Sequence, residues 1–228
     1  MVVRADMELI AQSFLNAAVI ERYWPILLGG LGQTLLLSVL AIPLGVLFGM
    51  VLGELGTNSN RWVRWLTSAY VDVLRSFPPL VLLILISTAL PHLGLRPPPL
   101  LAIIMALLLN ASSYYGEIFR AGLLSVPRGT VLAARATGLS HLQATMHVRL
   151  PIAVRNMLPD LLSNTLELVK LTSIAAVVTF VELTQAARVV QGLTFNATPI
   201  VVAAALYCIV LWPLARMVSR LEQRSLRK

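Results

Sequence analysis

Long apolar runs alternate with short polar intervals along this 228-residue chain, and the spacing predicts five membrane-crossing helices. The runs fall at residues 26–53, 69–90, 100–119, 158–181 and 200–218, each close to or above the ~20 residues a helix needs to cross a bilayer. The first is longer than a crossing requires, so it is expected to tilt or project. Within it Ala41, Gly45, Gly49 and Gly53 recur every four residues, presenting a face on which another helix backbone can come close. Pro43 in the same run removes a backbone donor and is expected to kink the helix. The second run is interrupted near its start by Pro78-Pro79, and the polar intervals 54–65 and 182–198 read as connections. Ahead of the first run, residues 1–24 set Met7, Ile10, Phe14 and Ala18 at helical spacing among polar residues. A short interfacial helix and a frayed terminus fit that pattern equally.

The longest polar interval, residues 117–151, carries its own boundary signals. Thr130 is placed to cap one short helix, Gly138 to end it in a left-handed conformation, and Ser140 with Gln143 to form a capping box for a second. The expected product is a helix-turn-helix between two membrane spans, a hook suited to the groove of a soluble partner. Ala133, Ala134 and Gly138 are small where such a partner would approach, and Leu150-Pro151 closes the interval.

Composition agrees with this pattern. With 57% hydrophobic and 12% charged residues and a mean hydropathy of +0.81, the chain lacks the polar surface of a soluble globule. It reads as an all-α integral membrane protein with five transmembrane helices, an N-terminal segment 1–24 and a membrane domain 25–228. The net charge of +8 raises nucleic acid as a partner, but the basic residues flank apolar runs, which is the pattern of membrane orientation. If the 117–151 loop is cytoplasmic, twelve basic residues collect inside (Arg61, Arg64, Arg120, Arg128, Arg135, Arg149, Arg155, Arg216, Arg220, Arg224, Arg227, Lys228). Four remain outside, Arg4, Arg22, Arg96 and Arg188. The N-terminus is therefore expected outside and the C-terminus inside. Asp6 and Glu8 interrupt what would be the apolar part of a signal peptide. The single cysteine, Cys208, allows no intrachain disulfide. No internal repeat is evident, and five spans do not divide into two inverted halves, so a second copy or a related subunit is needed to close a path.

Catalytic chemistry is not apparent. There is no phosphate-binding Gly-x4-Gly-Lys motif, and His92, His141 and His147 lack metal-ligand spacing. The sharpest intramembrane signal is Glu167 with Lys170, near the middle of the fourth run. Charges there are expensive and face a cavity or a partner, and three residues apart they can neutralise each other. Lining a translocation path and pairing structurally at a subunit interface both remain open. Asn164, Thr172 and Ser173 on the same run, with Asn110 and Tyr114 on the third, would extend such a path. Glu117 with Arg120 and Asp72 with Arg75 repeat the three-residue spacing and read as latches.

Ala133-Ala134, then Gly138, then Val148 and Leu150-Pro151, resemble the "EAA" loop of ABC importer permeases. Residues 115–122 (Tyr-Gly-Glu-Ile-Phe-Arg-Ala-Gly), 125–129 (Ser-Val-Pro-Arg-Gly), 75–80 (Arg-Ser-Phe-Pro-Pro-Leu) and 170–173 (Lys-Leu-Thr-Ser) are similar to the polar amino acid and opine subfamily. Leu132 stands where that family usually has the loop's Glu, and Leu171 where Asp is common. The resemblance, from about residue 24 to the C-terminus, implies a type I importer membrane domain with coupling helices at about 120–151. It also implies a cytoplasmic ATPase dimer that binds ATP and Mg, with no cofactor in this chain. A second permease, an extracytoplasmic solute-binding protein and a bacterial cytoplasmic membrane complete the expectation. The alternative is a secondary carrier or channel working without an ATPase.

Overall fold

Asn16 opens the first long helix by accepting a hydrogen bond on its side chain from the Val19 N–H at 3.3 Å, while its own N–H donates to the Thr198 hydroxyl at 2.9 Å. The computed structural model describes residues 12–226, with side chains through 220. Helix α1 runs over Ala17–Leu55, about 58 Å at ~1.5 Å per residue and nearly twice the hydrocarbon thickness. Residues 17–24 thus belong to the same helix as the first span. Met7 and Ile10 lie outside the described residues. The helix continues through both Pro25 and Pro43.

Helices α2 (Arg61–Ser76) and α3 (Pro79–His92) follow, then α4 (Pro99–Leu124). The interval 54–65 is mostly helix, since Asn60 accepts from the Trp62 N–H at 2.9 Å and starts α2 at Arg61. Pro78-Pro79 breaks the second run into two helices bent by 98°, because Phe77 and Pro78 are extended and neither proline has an N–H to continue the ladder. Among the described residues four helical stretches are long and apolar enough to cross a membrane, or five if the bent α2–α3 pair counts as one span.

After α4 come α5 (Arg128–Ala136), α6 (His141–Ala144), a π turn at Thr145–Arg149 and α7 (Leu150–Leu171). The second loop helix therefore feeds the fourth span without a break, over His141–Val178. The widened turn explains how: Pro151 in the first turn of α7 would clash with the carbonyl four residues back in a regular helix, and the π turn relieves this. A 3₁₀ segment, Thr172–Val178, ends at Thr179 in the left-handed region. The interval 182–198 is not a plain connection but contains α8 (Leu183–Thr194), and α9 (Thr198–Leu226) completes the fold. No strand occurs among the described residues.

The four-residue repeat in α1 does what its spacing predicts. Ala41, Gly45, Gly49 and Gly53 are all buried along α4, where a Cβ on Gly45 would lie 2.8 Å from that of Ala111. A Cβ on Gly49 would overlap Tyr115 and the Gly116 backbone, and one on Gly53 would overlap Phe119. The central core gathers Leu37, Leu83, Ile103, Leu107, Tyr115 and Met157 around this contact. A second cluster, with Leu27, Leu183 and Leu206, joins α1, α8 and α9. A third, with Leu123, Val126 and Ala153, lies beneath α5.

Candidate coupling loop and transport-path residues

Pro127 precedes α5 without a side-chain cap, and the helix begins at Arg128. Thr130, expected to cap it, sits inside its first turn; Pro127, with φ held at −58, takes the cap position instead, and the helix starts three residues earlier than a Thr130 cap would set it. The other two boundary expectations hold. Gly138 has φ +94 with nothing within 4 Å of a Cβ built on it, so the glycine serves the left-handed turn. Its N–H donates to the Arg135 carbonyl at 3.0 Å. Ser140 and Gln143 form both bonds of a capping box, at 2.9 and 3.3 Å.

The loop is fastened to the membrane helices. Val131, Leu150 and Ile152 pack on the third core cluster, the Arg149 guanidinium donates to the Leu123 carbonyl at 3.4 Å, and the Asn156 amide donates to the Ser125 hydroxyl at 2.8 Å. Large apolar side chains stand exposed on the loop beside Arg128, Arg135 and His141. Leu132, Leu142 and Met146 are 63%, 70% and 54% exposed, with Ala133 exposed and Ala134 half-buried. Pro151 is exposed, and Leu150 is half-buried against the cluster. Between Glu117 and Asp160 the sequence has no acidic residue but five arginines, so the loop presents apolar tips on a cationic base.

Of the two expected latches one forms. Arg120 donates to both Glu117 oxygens, at 2.9 and 2.6 Å. Asp72 and Arg75 make no ion pair among the described residues; the Arg75 guanidinium lies 5.2 Å from the centre of the Tyr114 ring instead. The ring face attracts the cation and draws it off its own helix toward α4.

The path residues divide between two environments. Lys170 and Glu167 are ion-paired, with 52% and 68% of their side chains exposed, so the pair faces outward from the protomer. Lys170 borders an open apolar groove of about 620 Å³ with Leu166, Tyr207 and Trp212. Asn110 and Thr172 are buried instead. Thr172 donates to its own helix at the Val169 carbonyl, 2.7 Å away, while the Asn110 amide nitrogen has no partner. Asn164, Ser173 and Tyr114 are half-buried. The ion pair thus lies on the protomer surface while Asn110 and Thr172 lie within it.

The fold also makes a site that residue spacing did not reveal. Glu182 is fully buried. It accepts hydrogen bonds from the Gln185 and Thr184 N–H groups at 2.9 and 2.8 Å, from the Tyr207 hydroxyl at 3.1 Å and from the Thr34 hydroxyl at 3.5 Å. Thr34 in turn accepts from the Leu183 N–H at 3.1 Å. One side chain thereby caps α8 and ties it to α1 and α9. The sequence signal was an acidic residue at the start of a 3.6-period stretch, masked by the polar residues that follow it.

The family described as "binding-protein-dependent transport system inner membrane component" matches residues 24–227. A probable glutamine ABC transporter permease protein, GlnM, of Bacillus subtilis is 32% identical over 92% of this chain and 98% of its own length. The nopaline transport system permease protein NocM of Agrobacterium fabrum is 31% identical over 95% and 90%. Among solved structures, an amino acid ABC transporter with histidines superposes with a TM-score of 0.84 at 33% identity, over 92% of this chain and 99% of that one. The methionine ABC transporter MetNI in an inward-facing conformation shares the fold, with a TM-score of 0.74 at 22% identity over 90% and 98%. On this match the chain belongs to the family of binding-protein-dependent transport system inner membrane components.

Proposed function

We propose that this chain is the permease subunit of an ATP-driven importer that carries polar amino acids or opine-like compounds across the bacterial cytoplasmic membrane. A pair of cytoplasmic ATPase subunits binds ATP and Mg and engages the loop. A second permease, the same chain or a homologue, closes the path, and an extracytoplasmic binding protein delivers the solute. The N-terminus lies outside and the C-terminus inside.

The observation that carries this reading is the mechanical continuity of the loop. A partner that grips Leu132, Leu142 and Met146 holds α6, and α6 continues through one π turn into α7 without a flexible joint. Movement of the partner is thereby delivered to the span that bears Glu167 and Lys170. That pair points outward from one protomer, where a facing second permease would enclose it and where a zwitterionic solute would meet both signs of charge. A carrier or channel needs no such lever.

The test is uptake into proteoliposomes containing the purified complex and its binding protein, with ATP enclosed or omitted. Uptake of a labelled polar amino acid only with ATP, lost in a Leu132→Asp, Leu142→Asp variant, is expected. ATP-independent uptake unchanged by that variant would favour the carrier.

A further inference from the structure

We propose that the pocket at the loop end of α1, α2 and α4 binds the headgroup of an anionic phospholipid. The cavity, about 560 Å³, is lined by Arg61, Arg64 and Arg120 with Trp62, Trp65 and Ser68. It lies where α1 has just ended at Leu55 and α4 is about to leave for the loop, the level at which an apolar helix meets headgroups. Gly56 brings α1 against the Arg120 stem, since a Cβ there would lie 3.0 Å from the Arg120 Cδ.

The charges are not equivalent. Arg120 gives its Nε and Nη2 to Glu117 and is neutralised. Arg64 donates one nitrogen, Nη1, to the Asn58 carbonyl at 2.8 Å, which orients the guanidinium without cancelling its charge. Arg61 lies 5.5 Å from the centre of the Trp62 ring. Neither Arg61 nor Arg64 has a carboxylate partner within ion-pair distance among the described residues. Two guanidinium groups thus stand over one cavity with free donors, and their planar forks suit the oxygens of a phosphate.

The apolar surroundings select a lipid over a free anion. Trp62, Trp65 and Leu66 are 64%, 61% and 60% exposed, while Thr67 and Val71 bury the opposite face of α2. The Tyr70 and Ser112 hydroxyls, 3.0 Å apart, hold that inner face to α4. The two indoles meet edge to face at 6.4 Å. Trp at headgroup level beside Arg is the arrangement of a membrane interface, and basic pockets between spanning helices take anionic headgroups. Acyl chains would cover the exposed indoles.

The site lies in the leaflet on the loop side, and lipid binding there does not depend on transport. It is tested on the complete complex in detergent by native mass spectrometry, titrating phosphatidylglycerol against phosphatidylcholine. Tighter binding of phosphatidylglycerol is expected, weakened about 30-fold by Arg61→Gln with Arg64→Gln, the equivalent of ~1 kcal/mol for each cation. Arg61→Lys with Arg64→Lys, which keeps the charge, should retain most of the affinity and reports that the fold survives. Arg96→Gln, an exposed arginine elsewhere, should change nothing. Equal retention of the two lipids by the native protein, or undiminished phosphatidylglycerol binding in the double glutamine variant, overturns the proposal. So does displacement of the lipid by inorganic phosphate alone, which would mark a free-anion site.

Discussion

Replacing Glu182 by Gln tests the buried carboxyl that sequence reading did not find. Four donors converge on its two oxygens: the backbone N–H groups of Thr184 and Gln185, and the hydroxyls of Tyr207 and Thr34. A glutamine amide keeps one acceptor oxygen and turns a donor nitrogen toward the remaining groups. Hydroxyls can rotate to accept from that nitrogen, but a backbone N–H cannot reverse. One buried N–H is left unpaired, which costs about 1–3 kcal/mol. Glu182→Ala strands both N–H groups and leaves a void, so about 3–5 kcal/mol is expected. The control is Glu167→Gln, whose side chain is 68% exposed and whose loss should cost no more than about 1 kcal/mol. Thermal unfolding of the purified protein, followed by the loss of helical circular dichroism, ranks the three. A Glu182→Gln protein as stable as the Glu167→Gln control would refute the four-donor geometry, because a carboxyl acting as a donor would be replaced by an amide with little penalty.

Gly49→Leu should prevent α1 from seating on α4, since even a Cβ would overlap Tyr115 and the Gly116 backbone. A loss of the monodisperse peak in size-exclusion chromatography is expected, whereas Gly32→Ala, where nothing lies within 4 Å, should be neutral or slightly stabilising. Gly138→Val should leave membrane insertion intact but distort the turn between α5 and α6 at a cost of about 1–2 kcal/mol; ATP hydrolysis that continues without uptake is the expected readout, and normal uptake would remove the role given to the turn. Lys170→Met with Glu167→Met should alter which amino acids compete for uptake while the permease pair still assembles, and a collapsed assembly would assign the ion pair to the subunit interface instead.

The hydrophobic pattern carried most of the fold because lipid-facing helices must be apolar along their whole length, and this is visible residue by residue. The glycine repeat of α1 was legible for a related reason: a close helix contact admits no side chain, so the requirement is written in residue size. Ser140, Gln143 and Gly138 were legible because caps are local. Thr130 does not cap the helix because a second local signal, Pro127, starts it earlier. Helix α8 was hidden by its amphipathic character and by a glutamate cap, a residue less expected there than Ser or Asp. The Arg75 contact with Tyr114 could not be anticipated from a three-residue spacing, because it joins two helices. The outward direction of Glu167 and Lys170 is likewise a property of how α7 packs, which periodicity alone does not assign.

On the proposed function, a soluble ATPase grips this loop and drives the span behind it. The most direct measurement is gentle affinity purification of the tagged chain from its native membrane, with each co-purifying subunit identified and counted. ATPase subunits in equal number to permease chains are expected, and their loss when Leu132 and Leu142 are replaced by Asp. A folded preparation that contains no ATPase, or one that keeps it after both replacements, would rule out this coupling.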